Sequence, residues 1–170
     1  MNQATHYQAP DDSAPSQLQS IIADSVERLF AEQITSEVLA RFDAGHAATA
    51  LWQQVVEQGL PGALMAEEAG GSAASWLEVS PVLRAIGYWN APLPLSETML
   101  ASMLLARAGL QVPEEPITLI QNGRLGELAL SADGHLDGRT FNVPWARSSR
   151  WAAVADGTGQ VALVDLRQAN

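Results

Sequence analysis

The spacing of apolar residues changes once along this chain, across QVPEEP at 111–116, and that change limits the fold more than any other feature. Before it, Leu18, Ile21, Ile22, Val26, Leu29, Phe30, Ile34, Val38, Leu39 and Phe42 recur at intervals of three and four. Such spacing lines one helix face, so a long helix is predicted, or two helices meeting near Ile34-Thr35. A second helix is predicted over about 47–58, with Trp52, Val55 and Val56 inward and Gly59 as its C-cap. Gly59-Leu60-Pro61-Gly62 breaks the pattern. A third helix is predicted after Gly70-Gly71, with Ser72 as N-cap and Trp76, Leu77, Val82, Leu83 and Ile86 inward. Pro81 inside it calls for a kink or a start near Ser80. YWNAPLPL reads as an extended link, and Ser96-Glu97 opens a fourth helix that stops at Gly109.

After the change, short runs at 117–120, 127–130, 135–143, 152–155 and 161–166 alternate with Gly123, Gly126, ADG, DGR and DGTG. Turn residues at that spacing predict a β meander. Helices followed by strands give an α+β class, an N-terminal all-helical bundle domain and then a partial antiparallel β-domain. The predicted boundaries are a flexible tail over 1–17, a helical domain over 18–112 and a β-domain over 113–170.

With 170 residues, 47% of them hydrophobic and 16% charged, the chain can bury a core. Nineteen acidic residues against nine basic ones give a charge of −10, which repels nucleic-acid phosphates and anionic lipid surfaces. Neither nucleic acid nor membrane is an expected partner. The absence of cysteine excludes disulfides and thiolate chemistry. No secretory leader and no apolar run of about 18 residues stands in the sequence, so a cytoplasmic location is expected.

Glu67-Glu68 followed by Gly70-Gly71 allows three readings: a phosphate cradle, a metal site or a tight corner. Glycines before a helix can bind anions, but neither G-x-G-x-x-G nor G-K-[ST] is present, and two acids precede the pair. Adjacent glutamates point apart and no histidine stands at ligand spacing, so no metal is expected. The corner is the favoured reading. His6, His46 and His135 are too far apart in the chain to suggest a catalytic cluster. Trp76, Trp89 and Trp151 read as core or interface anchors. Glu114-Glu115 read as solvated, as does the turn with Arg147, Ser148-Ser149 and Arg150.

Leu51–Gly109 resembles the N-terminal helical domain of the acyl-CoA dehydrogenases. The likeness rests on Leu51-Trp52, Glu57, Gly59-Leu60, Glu67-Glu68, Gly70-Gly71, Glu78, Ile86-Gly87, Ala91-Pro92-Leu93-Pro94 and Glu97-Thr98, taken in order. A weaker similarity to the family's middle β-domain runs through LDGRTFNVPWARSSRWAAVADGTGQVALVDL. The family combines a helical domain, a β-domain and a C-terminal four-helix bundle. The last two hold FAD, which takes hydride from the β-carbon of an acyl-CoA whose α-proton a glutamate removes. By this resemblance Trp145, Ala146 and Arg147 fall in the loop beside the flavin, and Arg147 is placed to reach an anionic group. The acidic Thr-Glu-Pro and Gly-Ser-Asp motif has no counterpart in ITLIQNGRLGELALSADG, as in divergent members built from unequal subunits. The sequence stops at Asn170 before any bundle, so no catalytic residue is assigned. The resemblance implies FAD, an acyl-CoA substrate, and a homo-oligomer or a second acyl-CoA dehydrogenase-like subunit. The chain alone is expected to be inactive; the alternative is a catalytically silent subunit or fragment acting as an assembly module.

Overall fold

The computed structural model describes residues 15–121, 126–131, 135–155 and 159–168. Expectations for the tail as far as residue 14, for His6, and for the turns at Gly123, ADG and the first three residues of DGTG lie outside them. The helices are α1 (Gln17–Gln33), α2 (Ser36–Asp43), α3 (Thr49–Glu57), α4 (Trp76–Tyr88) and α5 (Leu95–Arg107), and the strands that follow are β1 (Ile117–Gln121), β2 (Gly126–Leu130), β3 (Leu136–Thr140), β4 (Trp151–Ala155) and β5 (Val161–Asp165).

The first stripe divides at Ile34, whose ψ of 84° leaves the helical region, and the Thr35 hydroxyl restarts the helix by accepting from Val38 N at 3.3 Å. A side-chain acceptor at that point satisfies one of the orphan amides of a new helix, so two helices form in place of one. Gly59, at φ +71°, ends α3 in the left-handed conformation that glycine adopts without strain. Val26, Phe30, Leu51, Val55, Val79, Val82, Leu95 and Met99 form the centre of the helical core.

α4 begins three residues later than Ser72 would place it. Ala73 N and Ala74 N donate back to the carbonyls of Met65 and Ala63 at 2.8 and 2.9 Å, which holds this stretch out of the helix until Ser75. Ser75 then caps it. Its hydroxyl accepts from Glu78 N at 3.3 Å while a Glu78 carboxylate oxygen accepts from Ser75 N at 2.8 Å, a reciprocal box. The second carboxylate oxygen accepts from Ser16, the cap of α1, at 3.3 Å. These bonds, that to Ser75 N first, hold the Glu78 carboxyl below its ordinary value of 4.5. A depressed carboxyl stabilises the fold above its unfolded pKa, and the contribution disappears as pH falls through the folded value. Thermal denaturation from pH 5 downward is therefore expected to show a steeper acid loss in the native chain than in Glu78→Gln; parallel curves would contradict it.

Pro81 stands inside α4 without a break. A proline removes the amide that would bond to the carbonyl four residues earlier, here Leu77. The Ser80 hydroxyl replaces it, donating to Leu77 O at 2.8 Å. Ser80→Ala is expected to cost about 1 kcal/mol in chemical denaturation, and no loss would mean that water serves the carbonyl equally well.

The three-stranded sheet has the order β1-β4-β5, and β2 and β3 pair as a separate hairpin. The β2–β3 and β4–β5 pairs are antiparallel, as expected of a meander, but β1 runs parallel to β4, with Ile117 opposite Trp151. A parallel neighbour needs a long crossover, which the hairpin and the turn before β4 provide. Side chains alternate between two buried faces. Ile117, Ala153 and Leu163 pack toward Ala101 and Leu105 of α5, whereas Ile120, Ala152, Val154 and Val164 pack toward Leu128 and Leu136 of the hairpin. With both faces covered, these strands read in the sequence as continuous apolar runs. No helix among the described residues is long and apolar enough to cross a membrane.

Candidate functional site

One buried hydroxyl joins the apolar packing that docks the sheet on α5. Thr98 Oγ1 donates to Ile117 O at 3.0 Å and accepts from Ile117 N at 3.1 Å, satisfying both backbone groups of the first residue of β1. The segment that joins α5 to β1 is held to the helices by Trp52, whose indole N–H donates to Glu114 O at 3.0 Å. Between α3, this linker and the turn before β4 lies a cleft of about 1470 Å³. Its apolar lining includes Phe42, Trp52, Val56, Leu93 and Trp151.

The turn is built from its own hydrogen bonds. Thr118 Oγ1 donates to Pro144 O, and the amides of Ser148 and Ser149 both donate to Trp145 O at 2.9 Å. Trp145 sits at φ +57°, a region that side chains beyond glycine, asparagine and aspartate seldom adopt. Its half-buried ring packs on Phe42 of α2 with centroids 5.9 Å apart. Of the three residues expected beside a flavin, Ala146 and Arg147 line the cleft, while Trp145 reaches it through Phe42, which does.

Two solvated readings hold in part: Glu114 and Arg147 are exposed, whereas Glu115, Ser149 and Arg150 are wholly or partly covered. Glu115 accepts from Arg150 Nη1 at 2.8 Å and from Trp151 Nε1 at 3.4 Å, because the linker passes over the start of β4. Arg150 also pairs with Asp165 at 3.4 Å and lies 4.9 Å from the centre of the Trp151 ring. Ser149 is buried at 8% exposure. Neither Ser149 Oγ nor Arg150 Nε has a hydrogen-bond partner among the described residues. The Glu115–Arg150 pair joins residues on either side of the hairpin, a separation at which sequence spacing carries no signal. Trp151 anchors the interface of α5 and sheet, whereas Trp76 is 50% exposed and belongs to no core.

At the Glu67-Gly71 corner, Glu67 and Glu68 are exposed in a single 3₁₀ turn, Gly70 adopts φ +83°, and a Cβ on Gly71 would lie 2.2 Å from Met65 O and 2.6 Å from Gly62 O. The glycine pair makes a tight corner, one residue for its φ and the other for a close approach of backbone.

The family model of the acyl-CoA dehydrogenase N-terminal domain matches residues 16–112, more than half of the chain. The chain belongs to the acyl-CoA dehydrogenase family. Among solved structures, the ChsE4-ChsE5 complex from Mycobacterium tuberculosis is similar in fold, with a TM-score of 0.72 and 19% identity over 89% of this chain and 48% of that one. A variant of the Tcur3481-Tcur3483 steroid ACAD gives 0.69 and 20% identity over 86% of this chain and 47% of that one. The chain thus spans about half the length of both. No curated protein matches it.

Proposed function

We propose that this acyl-CoA dehydrogenase-family chain contributes the helical domain and part of the β-domain, with boundaries at 18–112 and 113–170, to a flavin-dependent enzyme that dehydrogenates an acyl-CoA thioester between its α and β carbons. It works within a longer parent or with a second acyl-CoA dehydrogenase-like subunit, and is inactive alone. The observation that carries the reading is the cleft between α3 and the turn before β4, in a chain whose helical part matches the family. The pairing of two chains in the ChsE4-ChsE5 complex favours the second subunit over a homo-oligomer.

The residues of the turn fit a flavin. Ala146 leaves the wall low, Arg147 offers a cation, and the unpartnered Ser149 hydroxyl offers a hydrogen bond that no other described residue takes. Trp145, Ala146 and Arg147 would hold the ring and its anionic portion. Bound FAD supplies the hydride acceptor. Trp145 fixes the turn against α2 through Phe42, and Phe42, Trp52 and Leu93 present apolar surface that excludes water from the acyl chain. The base for the α-proton comes from the partner subunit or from the remainder of the parent.

Trp145→Ala, prepared in complex with the partner subunit, is expected to weaken FAD at least tenfold in a flavin-fluorescence titration while the complex still assembles. Unchanged FAD affinity in that variant would support the catalytically silent assembly role instead.

A further inference from the structure

Seven large hydrophobic side chains stand exposed among the described residues, and four of them, Trp76, Leu77, Leu83 and Tyr88, belong to α4. These four are 39–77% exposed, although the sequence pattern predicts Trp76, Leu77 and Leu83 to face inward. The helix buries Val79, Pro81, Val82 and Ala85 instead. At 3.6 residues per turn, Trp76, Ser80, Leu83 and Gly87 form one row and Leu77, Arg84 and Tyr88 the next, so the exposed residues make a single outer face. A Cβ on Gly87 would meet nothing within 4 Å, so no described residue covers the middle of that face.

The charge on this face is equally one-sided. The chain carries −10 overall, yet the face holds no carboxylate and a single cation, Arg84. The acids beside the helix are turned to its other side, where α1 packs: Glu78 bonds to Ser75 and Ser16, and Glu27 accepts from Trp89 Nε1 at 3.1 Å. About Ser80 the sequence is nearly symmetric, with Leu77 and Leu83 placed three residues to either side, and Trp76 and Arg84 placed four. Two such helices laid antiparallel about Ser80 bring Leu77 of one copy level with Leu83 of the other, and Trp76 level with Arg84, a cation for the face of the ring. Ser80 is small and its hydroxyl is folded back onto Leu77 O at 2.8 Å, which leaves room for the two backbones to approach.

We propose that the outer face of α4 is where two copies of this chain pair, antiparallel about a two-fold axis near Ser80. Such a contact covers both apolar faces at once, and it joins two acidic chains through a face of each that carries no carboxylate. No residue of α4 lines the cleft, so a second copy here leaves the cleft open to a partner subunit. The helix is roughly 20 Å long, and a contact built on one helix face falls at the small end of specific interfaces, so the dimer exchanges with monomer.

The test is sedimentation equilibrium of the full chain from about 1 µM to about 1 mM, the range that spans a weak contact. A monomer–dimer equilibrium is expected, tightened by added salt because screening relieves the repulsion between two chains of charge −10. Leu77→Glu and Leu83→Glu are each expected to weaken it by about tenfold or more, since a charge enters an apolar contact. Both side chains already meet solvent, so thermal stability should be kept. Because the chain has no cysteine, Ser80→Cys gives it a single thiol, and oxidation should link two copies through it. Ile21→Cys, exposed on α1, should not link them. A chain that stays monomeric throughout overturns the proposal, and protection of α4 from hydrogen exchange by the partner subunit would then make that subunit the occupant. A dimer that tolerates both glutamates, weakens with salt, or cross-links equally through Ile21→Cys overturns it as well.

Discussion

Gly71→Ala is expected to destabilise the protein by about 3 kcal/mol, a large part of the roughly 5–15 kcal/mol that holds a domain folded. The added methyl would meet Met65 O at 2.2 Å, Met65 Cβ at 2.5 Å and Gly62 O at 2.6 Å, two of them backbone atoms that no rotamer change can move. Relief requires the corner to open, which would break the bonds from Gly71 N to Ala66 O and from Ala73 N to Met65 O. Gly70→Ala is the comparison. Its Cβ would meet nothing within 4 Å, so the cost is that of a left-handed alanine, about 1–2 kcal/mol. Urea denaturation of both variants decides the matter; equal losses, or a Gly71→Ala midpoint above that of Gly70→Ala, would show that the corner is not closed in this way.

Thr98→Val carries the second large effect. Valine keeps the shape of threonine but leaves Ile117 N and Ile117 O buried with nothing to bond, at about 1–3 kcal/mol for each group. A total loss of about 2–6 kcal/mol is expected, concentrated where α5 meets the sheet. Thr98→Ser retains the hydroxyl and should lose far less. Because this contact seats the sheet on the helices, amide hydrogen exchange in Thr98→Val should rise first at β1 and in the linker that borders the cleft. Uniform acceleration across the helical core would contradict a role at this junction.

Much of the fold could be read in the sequence because its signals are local. The break at Ile34-Thr35, the stop of α3 at Gly59 and the stop of α5 at Gly109 each lie at a residue whose cap or φ requirement is visible from its neighbours. The start of α4 was less legible. Ser72 and Ser75 are chemically equal caps, and the choice is made by bonds from Ala73 and Ala74 to residues before the corner. Pro81 shows the same limit: the sequence calls for a break, and a neighbouring serine hydroxyl repairs it. The parallel pairing of β1 with β4 was not visible, since apolar runs announce burial on both faces and say nothing of direction. At the cleft, Ala146 and Arg147 were reached through family resemblance, whereas Ser149, Arg150 and Glu115 read as solvent-facing. The burial of Ser149 and the pairing of Arg150 with Glu115 and Asp165 arise only once β5 and the linker close on the turn.

Trp145 links these layers. A tryptophan at φ +57° is strained by about 1–3 kcal/mol, and the fold holds it there through the two serine amides on its carbonyl and through Phe42. In the proposed enzyme this fixes the cleft wall before any ligand arrives, the preorganisation that positioning of a reactive ring requires.

In the proposed enzyme this chain is one part of a shared flavin site. The most direct measurement of this is the visible spectrum of the chain purified alone and purified with an acyl-CoA dehydrogenase-like partner subunit, followed by anaerobic addition of acyl-CoA. A colourless chain, a yellow complex that acyl-CoA bleaches, and loss of the yellow colour with Trp145→Ala in this chain are expected. A complex that assembles without flavin, or a flavin indifferent both to acyl-CoA and to Trp145, would contradict it.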